Sequence, residues 1–354
     1  MKLLSIVGAR PQLIKEAILQ KEMSKHEDIT EVLVHTGQHY DDNMSNVFFE
    51  TLSMKKPAYN LGIKGLSHGE MTGKMLIELE KVMIAEKPDV VLLYGDTNST
   101  LAGALAASKL KIRIAHVEAG LRRNIMKNTP EEINRIVTDR LSDLLFVSSD
   151  TGRMNLYKEG KKTGVYTTGD VMYDIYLCMK PRFDYSILEK MGLIENQYIV
   201  MTLHRDFNVD NLLRLKTILK EVNKIAQEIE VVLPLHPRTS SKIKDHDLDQ
   251  CTSNIKVIDP IDYLQLMALT EKSKLIITDS GGYQKEAYFA QKRAIVIMSE
   301  TNWVELTEKG YNVLSDADEI YKNSKQLKEI EFENGIYGEG NASEKIIKII
   351  IDTL

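Results

Sequence analysis

Short apolar runs rich in Val, Ile and Leu recur along the chain, each followed by a longer stretch in which apolar residues return every three or four positions. In the first half they are LLSIVG (3–8), EVLVHTG (31–37), DVVLLYG (89–95), IRIAHVE (112–118) and DLLFVSS (143–149). Strands that are apolar nearly throughout and alternate with helices predict a parallel sheet covered on both faces. The rhythm restarts after VYTTGDVMYD (165–174), with YIVMTLH (198–204), EVVLPLH (230–236), NIKVID (254–259), KLIITDS (274–280) and RAIVIMS (293–299). Between the first two of these, NLLRLKTILKEVNKIAQEI has helical spacing. The pattern predicts an α/β fold of two doubly wound, Rossmann-like domains, residues 1–168 and 169–340, facing each other across a cleft. A last helix, 341–354, is apolar on much of its circumference and is expected to pack back onto the body.

Composition narrows the ligands. A chain of 354 residues, 43% hydrophobic and 27% charged, accommodates two domains of about 150 to 200 residues each. Its net charge of −5 and pI near 6.0 supply no positive field to hold nucleic acid or an anionic membrane. A small ligand is therefore expected. No apolar stretch approaches the roughly 20 residues of a bilayer crossing. The opening MKLLSIVGARPQ passes straight into a charged helical pattern, so it reads as the first strand and not as a signal peptide. Cys178 and Cys251 belong to no CxxC or Cys/His cluster, which predicts neither a disulfide framework nor a zinc site. A cytoplasmic protein without a metal is the expectation.

Open parallel sheets bind ligands beyond the carboxyl ends of their strands. The residues at those positions are Gly8 and Arg10, Gln38 and His39, Asp96, Glu118, His204, His236, and Ser280 with Gly281 and Gly282. TDSGGYQKEA (278–287) leaves a strand, turns on two glycines and enters a helix whose first N–H groups suit an anion such as a diphosphate. Glu286, further along that helix, could accept from a ribose diol. GARPQLIK (8–15) adds Arg10 and Lys15, which can neutralise phosphates. It lacks G-x-G-x-x-G, and no P-loop occurs, so nicotinamide, flavin and P-loop readings fall. GEGNAS (338–343) follows no strand and is discarded. In LLYGDTNSTLAG (92–103) the carboxylate of Asp96 has two readings, a cap for the next helix or a catalytic group. With Glu118, and Glu131 just after Pro130, three carboxylates converge on one strand-end surface, where mutual repulsion would raise at least one pKa. His204 and His236 come from the second domain, as hydrogen-bonded structural histidines or as catalysts.

In this order and spacing, GARPQLIK, HTGQHYD, YGDTNSTLAGALAA, HVEAGLR, PEEINR, the HR at 204–205, PLHPR and TDSGGYQKEA resemble the non-hydrolysing UDP-N-acetylglucosamine 2-epimerases over essentially the whole chain. The resemblance implies a glycosyltransferase B architecture with the nucleotide held mainly by the second domain. It implies epimerisation at C2 of a UDP-2-acetamido sugar for a surface polysaccharide pathway, without a redox cofactor, through elimination of UDP to a 2-acetamidoglucal and re-addition. Asp96, Glu118 and Glu131 match the acid/base carboxylates, and His204 lies near the leaving diphosphate. Arg10, Lys15 and Ser280, Gly281 and Gly282 match phosphate-binding positions and Glu286 the ribose-binding glutamate; Arg135 of PEEINR and His236 join the substrate-binding set. A homodimer is implied as well.

The chain departs from the family at several positions. It has HRDFN, with Phe207 in place of glutamate, and MSETNWVE, with Met298, Ser299 and Asn302 in place of arginine, aspartate and glutamate. Some relatives bind a second UDP-sugar as activator. Gln38 and His236 match that site, but Asp41 replaces a glutamine and Lys74 an arginine, so such regulation is expected to be weakened or absent. HTGQHYDDNMSNVFFETL and YGDTNSTLAGALAASKL look like the branch acting on UDP-2,3-diacetamido-2,3-dideoxyglucuronic acid, a rival substrate. A glycosyltransferase and a non-catalytic nucleotide-sugar sensor are the alternatives of other classes.

Overall fold

The computed structural model describes residues 1–38, 54–122, 129–235 and 237–353, apart from the side chains of 237 and 238. It divides into two compact units, Met1–Leu177 with Asn334–Leu354, and Cys178–Glu333.

The first unit is a seven-stranded sheet: β1 Lys2–Val7, β2 Thr30–His35, β3 Tyr59–Asn60, β4 Val90–Tyr94, β5 Arg113–Val117, β6 Leu144–Val147 and β7 Val165–Thr167. Every pairing is parallel, in the order β3-β2-β1-β4-β5-β6-β7. All five residues of β4 are buried because helices cover both faces. On one face Leu4, Ile6, Val34, Val91 and Leu93 pack with Met75 and Leu79 of the helix His68–Glu86 and Ala102 and Ala106 of the helix Asn98–Leu110. The order reverses between β1 and β4, so the crevice for a ligand opens where those two strands end.

The second unit repeats the plan with β8 Tyr198–Thr202, β9 Glu230–Pro234, β10 Lys256–Ile258, β11 Leu275–Thr278, β12 Ala294–Val296 and β13 Asn312–Leu314. The order is β10-β9-β8-β11-β12-β13, again all parallel, with its switch between β8 and β11. The helix Leu212–Ala226, started by Asn211 accepting from Arg214 N, buries Leu215, Ile218, Leu219, Val222 and Ile225 against the sheet. Each such side chain contributes on the order of 1.5–3 kcal/mol.

Each of the ten apolar runs contains a strand. The three strands the pattern did not mark, β3, β7 and β13, are edge strands of two or three residues, too short to leave a periodic trace. The divisions fall at 177/178 and 333/334 in place of the expected 168/169 and 340/341. The physical reason is a set of ties between residues 168–177 and the C-terminal stretch. Asp170 N–H donates to Tyr337 O at 2.9 Å. Asp174 accepts from Ala342 N and Ser343 N at 3.0 and 2.7 Å, capping the helix Ala342–Thr353 from a distance. That helix buries Ile346, Ile347 and Ile350 in the first unit. Among the described residues no helix is long and apolar enough to cross a membrane.

Candidate active site

In the first unit the site is built at the ends of β1, β4 and β5. Gln12, buried in the helix Arg10–Met23, accepts from Gly8 N and Ala9 N at 2.8 and 3.1 Å. Its amide donates to Tyr94 O at 2.6 Å and Thr100 Oγ1 at 2.9 Å, locking the two strand ends of the switch point together. A Cβ on Gly8 would stand 2.0 Å from Ser99 Oγ, so only glycine fits there.

Asp96 does not cap the following helix. Thr97 takes that place, its hydroxyl accepting from Thr100 N at 3.3 Å. Asp96 is left with its side chain 30% exposed and ion-paired to Arg135, which also donates to Glu132 at 2.5 Å. Asn134 holds the backbone from the same helix, Pro130–Leu141, donating to Asp96 O at 3.0 Å. Glu118, in left-handed backbone at φ +68°, pairs with Lys15 Nζ at 2.7 Å. Glu131 is exposed in the first turn of Pro130–Leu141, whose cap is Thr129.

Asp96 and Glu118 thus follow neighbouring strands, and each carries a cation. That corrects the picture of unrelieved repulsion. Lys15 and Arg135 are buried and stand against Glu118 and Asp96. Arg10 is exposed at the start of its helix.

In the second unit Ser280, Gly281 and Gly282 open the helix Gly281–Phe289, and Ser280 Oγ accepts from Tyr283 N at 3.4 Å. A Cβ on Gly281 would meet Arg205 Nη2 at 3.4 Å, whereas one on Gly282 would meet nothing within 4 Å. A guanidinium and the first N–H groups of a helix thus share one open turn, the combination that holds a phosphate. Glu286 lies half-buried further along the helix.

His204, at the end of β8, keeps its ring 46% exposed, with Nδ1 3.2 Å from Asp279 Oδ1. Asp279 is fully buried and also accepts from His204 N, Arg205 N and Asn208 Nδ2 at 3.1, 2.9 and 3.2 Å. Burial alone would push its carboxyl up, but His204 and these donors hold it below the usual carboxylate range. An ionised Asp279 fixes the ring and suits an imidazole that must donate from its other nitrogen.

A sequence profile described as UDP-N-acetylglucosamine 2-epimerase matches residues 21–351. The chain belongs to that family. It is 46% identical to a UDP-2,3-diacetamido-2,3-dideoxy-D-glucuronate 2-epimerase of Pseudomonas aeruginosa, over 99% of both chains. It is 40% identical to a UDP-N-acetylglucosamine 2-epimerase of Methanocaldococcus jannaschii, again over 99% of both. The crystal structure of the Methanocaldococcus jannaschii UDP-GlcNAc 2-epimerase in complex with UDP-GlcNAc and UDP matches with a TM-score of 0.87, at 39% identity, covering 99% of this chain and 100% of that one.

In this 2-epimerase the departures from the family pattern have definite surroundings. Phe207 is 48% exposed in the short helix Asp206–Val209. Met298 is buried, its sulfur 3.7 Å from Gln284 Nε2 of the helix Gly281–Phe289. Trp303 braces the same helix, donating from Nε1 to Gly281 O at 2.8 Å, with Lys285 Nζ 4.0 Å above its ring. Gln38 accepts from Ser99 N and Oγ at 3.2 and 2.9 Å, and Lys74 pairs with Glu70 at 2.8 Å. His39, Asp41 and His236 lie outside the described residues.

Position at a strand end did not mark Gln12, Arg205 or Asp279 as functional. Asp279 had a signal, being the first charged residue after the apolar run of β11, one place before Ser280. Gln12 and Arg205 act through contacts with residues distant in sequence, which no local pattern announces.

Proposed function

We propose that the protein interconverts UDP-N-acetylglucosamine and UDP-N-acetylmannosamine. The observation that carries this is the pair of strand-end carboxylates, Asp96 and Glu118, each backed by a buried cation in the first unit. The C2 proton of a UDP-2-acetamido sugar is weakly acidic, and its removal is helped by departure of a stabilised diphosphate from C1. Asp96, Glu118 and Glu131 take and return the proton on the two faces of C2, leaving a 2-acetamidoglucal between the two events. His204, oriented by Asp279, donates to the departing diphosphate; Ser280, Gly281, Gly282 and Arg205 hold it, and Glu286 accepts from the ribose. Arg135 and Lys15 pair with Asp96 and Glu118 and orient them, and Arg10 and His236 complete the substrate contacts. The protein acts in the cytoplasm as a homodimer, for which light scattering should return twice 40.2 kDa.

A second substrate, UDP-2,3-diacetamido-2,3-dideoxyglucuronic acid, is favoured by the 46% identity to the Pseudomonas aeruginosa enzyme. Proton NMR of separate incubations decides between the two. A growing manno-configured anomeric signal from UDP-N-acetylglucosamine supports the first reading. Turnover of the uronate alone replaces the substrate, and turnover of neither by a protein that binds UDP overturns the activity.

A further inference from the structure

His116 on β5 and Asp139 on the helix Pro130–Leu141 form a buried polar pair beneath the strand ends. Their side chains are 0% and 2% exposed. His116 Nδ1 lies 2.7 Å from Asp139 Oδ1, and Nε2 lies 2.7 Å from the Gly95 carbonyl oxygen. A backbone carbonyl can only accept, and so can an ionised carboxylate, so the ring donates at both ends. Burial would push Asp139 up, but His116 and Arg122 beside it hold its carboxyl below the usual range.

The second oxygen of Asp139 accepts from Gly120 N at 3.1 Å and from Arg122 Nη1 at 2.7 Å. One carboxylate therefore anchors two turns. Through His116 it holds the turn that delivers Asp96, and directly it holds the turn that follows Glu118. Both turns use left-handed backbone, with φ of +60° at Gly95, +68° at Glu118 and +77° at Gly120. Such conformations persist only where the surroundings over-determine them. The same helix supplies Asn134 to the Asp96 carbonyl and Arg135 to its carboxylate, so Asp96 is gripped from one element at three points, one of them relayed by His116.

Resting on the epimerase reading, we propose that His116, held by Asp139, is a positioning residue that fixes the Gly95–Asp96 turn and so sets the Asp96 carboxylate relative to Glu118. A ring that only filled volume would be indifferent to which of its nitrogens donates. A positioning ring is not, because only Nε2 reaches Gly95.

The test separates the two nitrogens. His116→Gln keeps an N–H near the place of Nε2 and retains the Gly95 bond, whereas His116→Asn keeps one near Nδ1 and retains only the Asp139 bond. The asparagine variant is expected to lose about 100-fold in kcat, the order of loss that a displaced reacting group brings. The glutamine variant should stay within about fivefold of the parent, with KM and calorimetric UDP affinity changed less than about twofold in both. Equal kcat in the two variants, or losses that follow their melting temperatures, would overturn the proposal. If either variant fails to fold, 15N NMR of the histidine-labelled parent decides: N–H signals at both nitrogens of His116 are expected, and a single N–H contradicts the two-ended bond. A parent that folds and binds UDP but does not exchange the C2 proton is a failure of the epimerase reading, and the NMR result then decides the role of His116 by itself.

Discussion

At the scale of single residues, position at the end of a strand was the legible quantity. Asp96, Glu118, His204 and Ser280 all follow apolar runs, and the structure sets them at or beside the switch points of their sheets. Their partners were not legible, because partnership is a tertiary fact: Lys15 and Glu118 are far apart in sequence and 2.7 Å apart in space. The pairing also explains how two carboxylates share one surface without the repulsion that their spacing alone suggested. Replacing Asp96 by Asn, or Glu131 by Gln, should lower kcat by at least about 100-fold while UDP affinity stays near that of the parent; rates close to the parent's would remove these residues from the proton transfer. Arg205→Ala should weaken UDP binding in calorimetry by about tenfold or more, the usual worth of a charge-assisted bond to phosphate, and an unchanged Kd would mean that the diphosphate sits elsewhere.

At the scale of elements, long buried strands and amphipathic helices were readable because period and burial coincide. The five apolar positions of β4 and the stripe of Leu212–Ala226 are examples. Capping decided where readings had stayed open. Thr97 and Thr129 do the capping beside Asp96 and Glu131, so neither acid is the cap of its helix. The C-terminal helix shows the converse, since its cap, Asp174, comes from another element, and with it the division between units moves. Asp174→Ala should lower the unfolding free energy by about 1–2 kcal/mol through loss of that cap, seen as a lower urea midpoint at constant m. A midpoint equal to the parent's would show that the helix is held by its buried isoleucines alone.

At the scale of the whole molecule, two sheets of like topology carry the two halves of the proposed chemistry, the carboxylates proposed for proton transfer on one and the turn proposed to hold the diphosphate on the other. The first also contains a buried acid that the chemistry does not use. Burial raises the Glu16 carboxyl well above its ordinary value, with Glu31 adding to the shift. The folded state thus holds a proton that the unfolded chain releases near its ordinary pKa. The stabilisation is complete below that value and is lost as pH rises through the folded-state titration. Urea unfolding from about pH 5 upward should show stability falling by up to about 1.4 kcal/mol per pH unit, and Glu16→Gln should flatten that slope by one proton; an unchanged slope would assign it to other groups.

Removal and return of one proton at C2 is the step on which the proposed activity depends, and the most direct measurement of it is deuterium wash-in. UDP-N-acetylglucosamine is incubated with the protein in D2O, and the recovered gluco and manno pools are read by proton NMR and mass spectrometry. Both pools should carry one deuterium, at C2 alone. Interconversion without deuterium, or deuterium at any other carbon, would contradict the mechanism.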